Sequence, residues 1–177
     1  MQLYVDEHVL IPRPETEELV EWIVNETQHS KLEISNILDI GTGSGCIPIA
    51  LKKKIPFAEV HALNFSGAAL KVAQKNAVAH GAFIRLHTVD ILSKQDWEHL
   101  PVFDLIVSNP PYIKQSEKNS MHSNVIAFEP HAALFVPDDD ALFFYKAIIL
   151  FASVHLHRGG LLFFEINEAL GEEMCLL

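Results

Sequence analysis

The chain of 177 residues is the size of one domain, and its 49% hydrophobic, 9% aromatic and 20% charged residues fit a folded globular protein rather than a disordered one. Thirteen Lys and Arg against 23 Asp and Glu give a formal charge of -10, which disfavours duplex nucleic acid as a partner because non-specific affinity comes from cations neutralising phosphates. Two cysteines, Cys46 and Cys175, are too few for a disulfide framework, and the most apolar run, residues 141–154, is broken by Lys146 and too short to span a membrane, so a cytoplasmic domain without metal or membrane partner is expected.

The first residues alternate as an extended segment would, and Pro12 and Pro14 bias the residues before them away from helix. From Pro14 the spacing predicts a helix: Leu19, Val20, Ile23 and Val24 share one face, and Glu15, Glu17 and Glu18 fill the first turn, where the helix dipole favours anions. The acidic run reads as a solvated helix face. Residues 37–40 form a short apolar run stopped by Gly41, the pattern of a strand buried on both faces of a parallel sheet. A helix follows over 46–54, with Lys52, Lys53 and Lys54 in its last turn before Pro56. The alternation repeats as a strand over 59–63 and a helix from the N-cap Ser66 to a stop at Gly81, then a strand over 83–89. A short helical stretch over 94–100 and a strand over 103–108 come next. A long helix over 141–157, an Arg158-Gly159-Gly160 turn and a strand over 161–166 complete the pattern. Such alternation predicts an α/β domain with a doubly wound, mostly parallel sheet. The exception is one long loop, residues 109–140, a length that compact domains reserve for function. Of the ten histidines only His155 and His157 are close in sequence, at a helix end that suits cations; Asp138, Asp139 and Asp140 read as a helix cap. Phe143, Phe144, Tyr145, Ile148, Ile149 and Phe151 read as core.

Between the first strand and its helix lies Asp39-Ile40-Gly41-Thr42-Gly43-Ser44-Gly45, a G-x-G-x-G loop in the strand-turn-helix context that ligand-binding glycine loops require. Glycines let the backbone approach a ligand with no Cβ in the way, and the helix N-terminus behind them offers N–H groups to an anion. The spacing resembles that of Rossmann-like S-adenosylmethionine-dependent methyltransferases, where the loop lies against the methionine moiety; a plain tight turn is the alternative. In such folds an acidic residue ending the second strand holds the ribose hydroxyls. Asn64 stands at that place, and an amide there forfeits about 1 kcal/mol of charge-assisted hydrogen bonding, so weaker cofactor binding is expected. Asp90 and Ile91 follow the third strand, where this class brackets adenine, although Asp90 would serve equally as a helix N-cap.

Asn109-Pro110-Pro111-Tyr112 follows the fourth strand, on the edge where ligands bind in open α/β sheets. A planar sp2 nitrogen is a poor nucleophile because its lone pair is delocalised. A site that methylates one must hold its N–H groups, leave the lone pair aimed at the methyl donor and stack the plane against rotation. Asn109 supplies a carbonyl acceptor, Pro110 a backbone carbonyl stiffened by the rings, and Tyr112 an aromatic face. No general base need act first, since the nitrogen becomes acidic as its new bond forms. A proline-rich turn without chemistry is the alternative.

Together, Val9-Leu10-Ile11-Pro12-Arg13-Pro14-Glu15-Thr16-Glu17-Glu18-Leu19-Val20, the glycine loop and residues 108–113 resemble the HemK/PrmC family of protein-glutamine methyltransferases, as do residues 128–137 and 159–166. Asn-Pro-Pro-Tyr is shared with adenine-N6 DNA methyltransferases, whereas Pro-Arg-Pro-Glu-Thr-Glu is particular to this family. The resemblance implies the class I methyltransferase fold, S-adenosylmethionine as donor with S-adenosylhomocysteine as product, and as acceptor the glutamine of the Gly-Gly-Gln loop of class-1 peptide chain release factors. No direct contact with nucleic acid is implied. By that analogy Gly41, Thr42, Gly43, Ser44, Gly45, Asn64, Asp90, Ile91 and Asn109 hold the cofactor. Asn109 and Pro110 hold the glutamine amide with Tyr112 packed on it, and Pro111, Arg13, Glu15 and Thr16 line the same pocket. Family members carry a helical domain before this region and further strands after it, so the chain is expected to be a single methyltransferase domain truncated at its C-terminus. Methylation of a ribosomal-protein glutamine, methylation of nucleic-acid adenine, and a non-catalytic binding module remain alternatives.

Overall fold

A computed structural model of the chain describes residues 1–29, 32–120, 126 and 128–177. Five parallel strands form the main sheet, in the order β3 (Arg85–Thr88), β2 (Glu59–Asn64), β1 (Asn36–Ile40), β4 (Phe103–Ser108) and β7 (Leu156–Phe164). The chain winds outward from β1 in both directions, so the switch point lies between β1 and β4. Their last residues, Ile40 and Ser108, are register partners, and the Ser108 hydroxyl donates to the Ile40 carbonyl at 2.7 Å. The segments that follow each strand therefore leave the sheet side by side.

Local chemistry explains the helices. α1 (Pro14–His29) starts on a proline, whose fixed φ suits a first helical position, and buries Thr16, Leu19, Val20 and Ile23. Glu15, Glu17, Glu18 and Glu21 are exposed, as a solvated face should be. α2 (Cys46–Lys54) matches the expected bounds. In α3 (Gly67–Ala79) the Ser66 side chain accepts from the Ala69 N–H, and Gly81 leaves the helix at φ +62°. With α4 (Phe143–His155) on the opposite face, the sheet is covered on both sides. Ile23 and Ile49 pack with Ile37 and Leu105 on one side, while Ile148 and Phe151 pack with Leu38 and Ile106 on the other. Each such side chain contributes about 1.5–3 kcal/mol by leaving water. No helix among the described residues is long and apolar enough to cross a membrane.

Five expectations change. Asp138, Asp139 and Asp140 do not cap α4, whose N-cap is Leu142 with no side-chain bond; Asp140 Oδ1 instead accepts the Leu142 N–H at 3.2 Å. The strand predicted over 83–89 shrinks to β3, with Phe83 72% exposed. The stretch over 94–100 is a short 3-10 turn, Lys94–Trp97. Arg158-Gly159-Gly160 is no turn ahead of the last strand but part of it. Between two paired positions one residue of β4, Asp104, faces four of β7, 157–160, because Gly159 takes φ +85° and Gly160 lies so close to the Asp104 carbonyl that a Cβ would stand 2.9 Å from it. Finally, the described part of the long loop contains a second, two-stranded parallel sheet, β5 (Ile113–Lys114) with β6 (Phe135–Val136). Residues 121–125 and 127 of that loop lie outside the described residues.

Candidate functional site

The glycine loop turns on three left-handed glycines, Gly41 at φ +78°, Gly43 at +50° and Gly45 at +81°. Gly41 and Thr42 both donate their N–H to the Leu63 carbonyl, at 2.9 and 3.0 Å, which ties the loop to the end of β2. A Cβ on Gly41 would meet nothing within 4 Å, and one on Gly43 only the Gly41 carbonyl at 3.9 Å, so these two positions border open space. Gly45 differs: a Cβ there would stand 3.2 Å from the Ala73 Cβ, so its glycine lets α2 and α3 approach. Under the loop, Asp39 is fully buried with neither carboxylate oxygen hydrogen-bonded, and the Thr42 hydroxyl is also buried without a partner. Burial pushes the Asp39 carboxyl up to about 7, and the neighbouring Thr42 hydroxyl opposes the rise.

The open space is a cavity of about 270 Å³. Gly41, Thr42, Gly43 and Ser44 form one wall, Asn64, Asp90 and Ile91 lie at one end, and Asn109, Pro110, Pro111 and Thr16 line it from the other side. Asn64 is 9% exposed, and its Oδ1 accepts the Ser66 N–H at 2.9 Å, which leaves the Nδ2 group for any ligand. Asp90 accepts the Leu92 N–H on Oδ1 at 2.9 Å; the N-cap of the 3-10 turn is Ser93 instead. The turn after β4 is held from behind, since Ile113 donates to the Leu134 carbonyl at 3.0 Å as β5 pairs with β6. Pro130, Ala132 and Ala133 are thereby carried to the cavity as well.

Four of the sequence-selected residues do not line this cavity: Gly45, Arg13, Glu15 and Tyr112. Arg13 donates through Nη2 to Glu129 Oε1 at 2.6 Å, joining the start of α1 to the 128–136 segment. The Glu129 side chain is only 3% exposed, and its second oxygen has no partner. Glu15 is exposed. Tyr112 is half-buried; burial raises its hydroxyl pKa, and the charges of Glu165 and Glu15 raise it further against Arg13.

Sequence reasoning passed over several residues that the fold brings here. Phe65, beside Asn64, lines the cavity at 60% exposure, and Phe144 and Ile148 of α4 line it rather than serving only as core. His8, Val9, Leu10 and Pro12 close one side from the N-terminal segment. Asn76 holds that segment in place: its Nδ2 donates to the Tyr4 and Ser44 carbonyls, both at 2.8 Å, and its Oδ1 accepts the Tyr4 N–H at 2.8 Å. Glu165, just after β7, accepts the Thr16 hydroxyl on Oε2 at 2.7 Å. Burial raises its carboxyl pKa and Glu15 adds to the rise, while the hydrogen bond from Thr16, the nearby Asn109 amide and the charge of Arg13 lower it. The one signal available was a charged residue ending an apolar strand.

Residues 16–135 match the family described as methyltransferase small domain. The chain is 51% identical over 174 residues to a release factor glutamine methyltransferase of Flavobacterium psychrophilum, covering 98% of this chain and 60% of that protein. It is 46% identical to the protein of the same name from Bacteroides thetaiotaomicron, covering 94% and 58%. The chain thus spans about 60% of the length of these relatives. Among solved structures, a ribosomal protein L11 methylase from Lactobacillus delbrueckii subsp. bulgaricus superposes with a TM-score of 0.59 at 22% identity, over 92% of this chain and 66% of that one, a likeness of fold.

Proposed function

From a chain that belongs to the methyltransferase small domain family, we propose a methyltransferase that moves a methyl group from S-adenosylmethionine to the side-chain amide nitrogen of the glutamine in the Gly-Gly-Gln motif of class-1 release factors. The observation that carries this reading is the single cavity onto which the glycine loop and Asn109-Pro110 both open, from adjacent strand ends. The names of the relatives supply the acceptor.

The residues present suit the cofactor. Open space above Gly41 and Gly43 and the unpartnered Thr42 hydroxyl fit a compact, doubly charged amino-acid end held against backbone. Farther along, the Asn64 amide would meet the ribose, with Ile91 and Phe65 offering apolar faces to the adenine and Asp90 an acceptor for its amine. Bound there, the cofactor supplies an electrophilic methyl group on a sulfonium. On the other side, Asn109 Oδ1 and the Pro110 carbonyl would accept the two N–H bonds of the glutamine amide. That keeps its plane fixed and its nitrogen lone pair toward the methyl. Pro111 and Thr16 shape the same wall, while Tyr112, half-buried and outside the cavity lining, is assigned no direct contact with the amide. Arg13 acts from outside the cavity, through Glu129, and Glu15 through its charge. As the nitrogen–methyl bond forms the sulfur–methyl bond would break, and the nitrogen, made acidic by its new bond, would then lose its proton to solvent, so no base is assigned.

Incubating the chain with methyl-labelled S-adenosylmethionine tests the proposal. Label is expected on a class-1 release factor, and none on its Gln→Ala variant or on adenine-containing DNA. Label on the DNA, or on nothing although the cofactor binds, overturns it.

A further inference from the structure

Glu165 has no part in the steps above, yet its backbone is fixed against the Asn109 turn. Its N–H donates to the Ser108 carbonyl at 3.0 Å, and its own carbonyl accepts the Tyr145 hydroxyl at 3.0 Å. The side chain does not reach the cavity; Thr16 and Asn109 do. Thr16 donates its only hydroxyl proton to Glu165 Oε2 at 2.7 Å, and Asn109 Nδ2 lies 3.4 Å from Thr16 Oγ1. A carboxylate can only accept, and a hydroxyl has one proton to give. With that proton committed to Glu165, Oγ1 can only accept, and the part of Asn109 that can donate to it is the amide NH2. The polarity of the chain therefore runs one way, from Asn109 through Thr16 to Glu165, and it turns the Asn109 carbonyl oxygen away from Thr16. Thr16 is 5% exposed, so water has little access to take the place of the carboxylate.

The geometry points to Glu165 as a positioning residue: acting through the Thr16 hydroxyl, it sets the amide orientation of Asn109 so that a carbonyl acceptor, not an NH2 donor, faces the N–H of the substrate amide. This rests on the amide-methylation reading. Without the carboxylate, Thr16 is free to donate to Asn109 Oδ1 instead, and the flipped amide presents donor against donor. The arrangement assigns Glu165 and Thr16 to the turnover step and not to cofactor binding, since neither stands at the glycine loop.

Glu165→Met removes the acceptor at similar length, Glu165→Gln keeps one, Thr16→Val removes the hydroxyl at nearly constant shape, and Thr16→Ser keeps it. Glu165→Met and Thr16→Val should each lower kcat for release factor methylation by about ten- to a hundredfold, the scale of a misplaced reacting group. The calorimetric Kd for S-adenosylmethionine should stay within about twofold, which also shows that the variant is folded, and KM for the release factor should move far less than kcat. Thr16→Ser should recover most of what Thr16→Val loses, and Glu165→Gln most of what Glu165→Met loses. If Glu165→Met does not fold, the Thr16 pair carries the test. Unchanged kcat in Thr16→Val, or a Thr16→Ser as impaired as Thr16→Val, overturns the inference. Should the parent chain methylate no release factor, the reading fails but the relay is still decided by the side-chain amide signals of Asn109 in 15N-resolved NMR. They shift in Thr16→Val and not in Thr16→Ser if the relay exists, and respond alike to both if it does not.

Discussion

Replacing Asn64 with aspartate isolates one hydrogen bond at the ribose end of the cavity. The Asn64 Oδ1 already accepts the Ser66 N–H at 2.9 Å, and whatever the native side chain offers a ligand, its NH2 or the second lone pair of that oxygen, is uncharged. In Asn64→Asp one oxygen keeps the Ser66 bond and the other becomes a charged acceptor for a ribose hydroxyl. A charge-assisted bond is worth about 1.5–3 kcal/mol against about 0.5–1.5 for a neutral one. Asn64 is only 9% exposed, so desolvating the new carboxylate takes back part of the difference. The N-terminus of α3, which begins at Gly67, offsets some of that cost. The net gain is about 1 kcal/mol, or about fivefold in Kd. Titration calorimetry should show this tightening for both S-adenosylmethionine and S-adenosylhomocysteine, because the two share the ribose. A Kd that does not tighten refutes the reasoning. So does a gain confined to S-adenosylmethionine, since that would trace to attraction between the new charge and the sulfonium.

Gly45→Ala combines left-handed φ with a Cβ 3.2 Å from Ala73, about 3 kcal/mol together, so calorimetric melting should fall by about 6–12 °C. Gly41→Ala has φ strain but open space and should fall by about 2–6 °C; equal losses would deny Gly45 its packing role. Arg13→Met strands the buried Glu129 carboxylate and should cost about 3 kcal/mol in urea unfolding, most of it recovered when Glu129→Leu is added. A double variant as unstable as the single one rejects the ion pair as the cause. Asp39 has a folded-state pKa of about 7, above its ordinary 3.8, so ionising it in the fold is unfavourable and the ligand-free protein loses stability as the pH rises from about 4 through 7, with little further loss above that. Asp39→Asn should therefore stabilise the ligand-free chain more at pH 8 than at pH 5, by up to about 3 kcal/mol, in paired thermal melts. An equal effect at both values removes Asp39 as the titrating group.

Strand and helix bounds were legible wherever a signal acts over a few residues. The apolar run ending at Gly41, the lysine-rich end of α2, the Ser66 cap and β4 all fall where the pattern puts them, because glycine freedom, proline constraint and side-chain periodicity are local properties. The two loops that make the site were legible for the same reason. That these loops become neighbours followed from the family resemblance and not from the pattern itself, since alternating strands and helices are compatible with several sheet orders, and only the order that sets β4 beside β1 brings the glycine loop and Asn109-Pro110 together. Arg13 meets Glu129 across 116 residues, and Thr16 meets Glu165 across 149. Pairings at such separations depend on where β5, β6 and β7 end in space. The apolar stripe of α4 was equally opaque: a sequence gives Phe144 and Ile148 the same pattern whether they press on a sheet or border a cavity. That distinction depends on what stands opposite them, which tertiary packing alone decides.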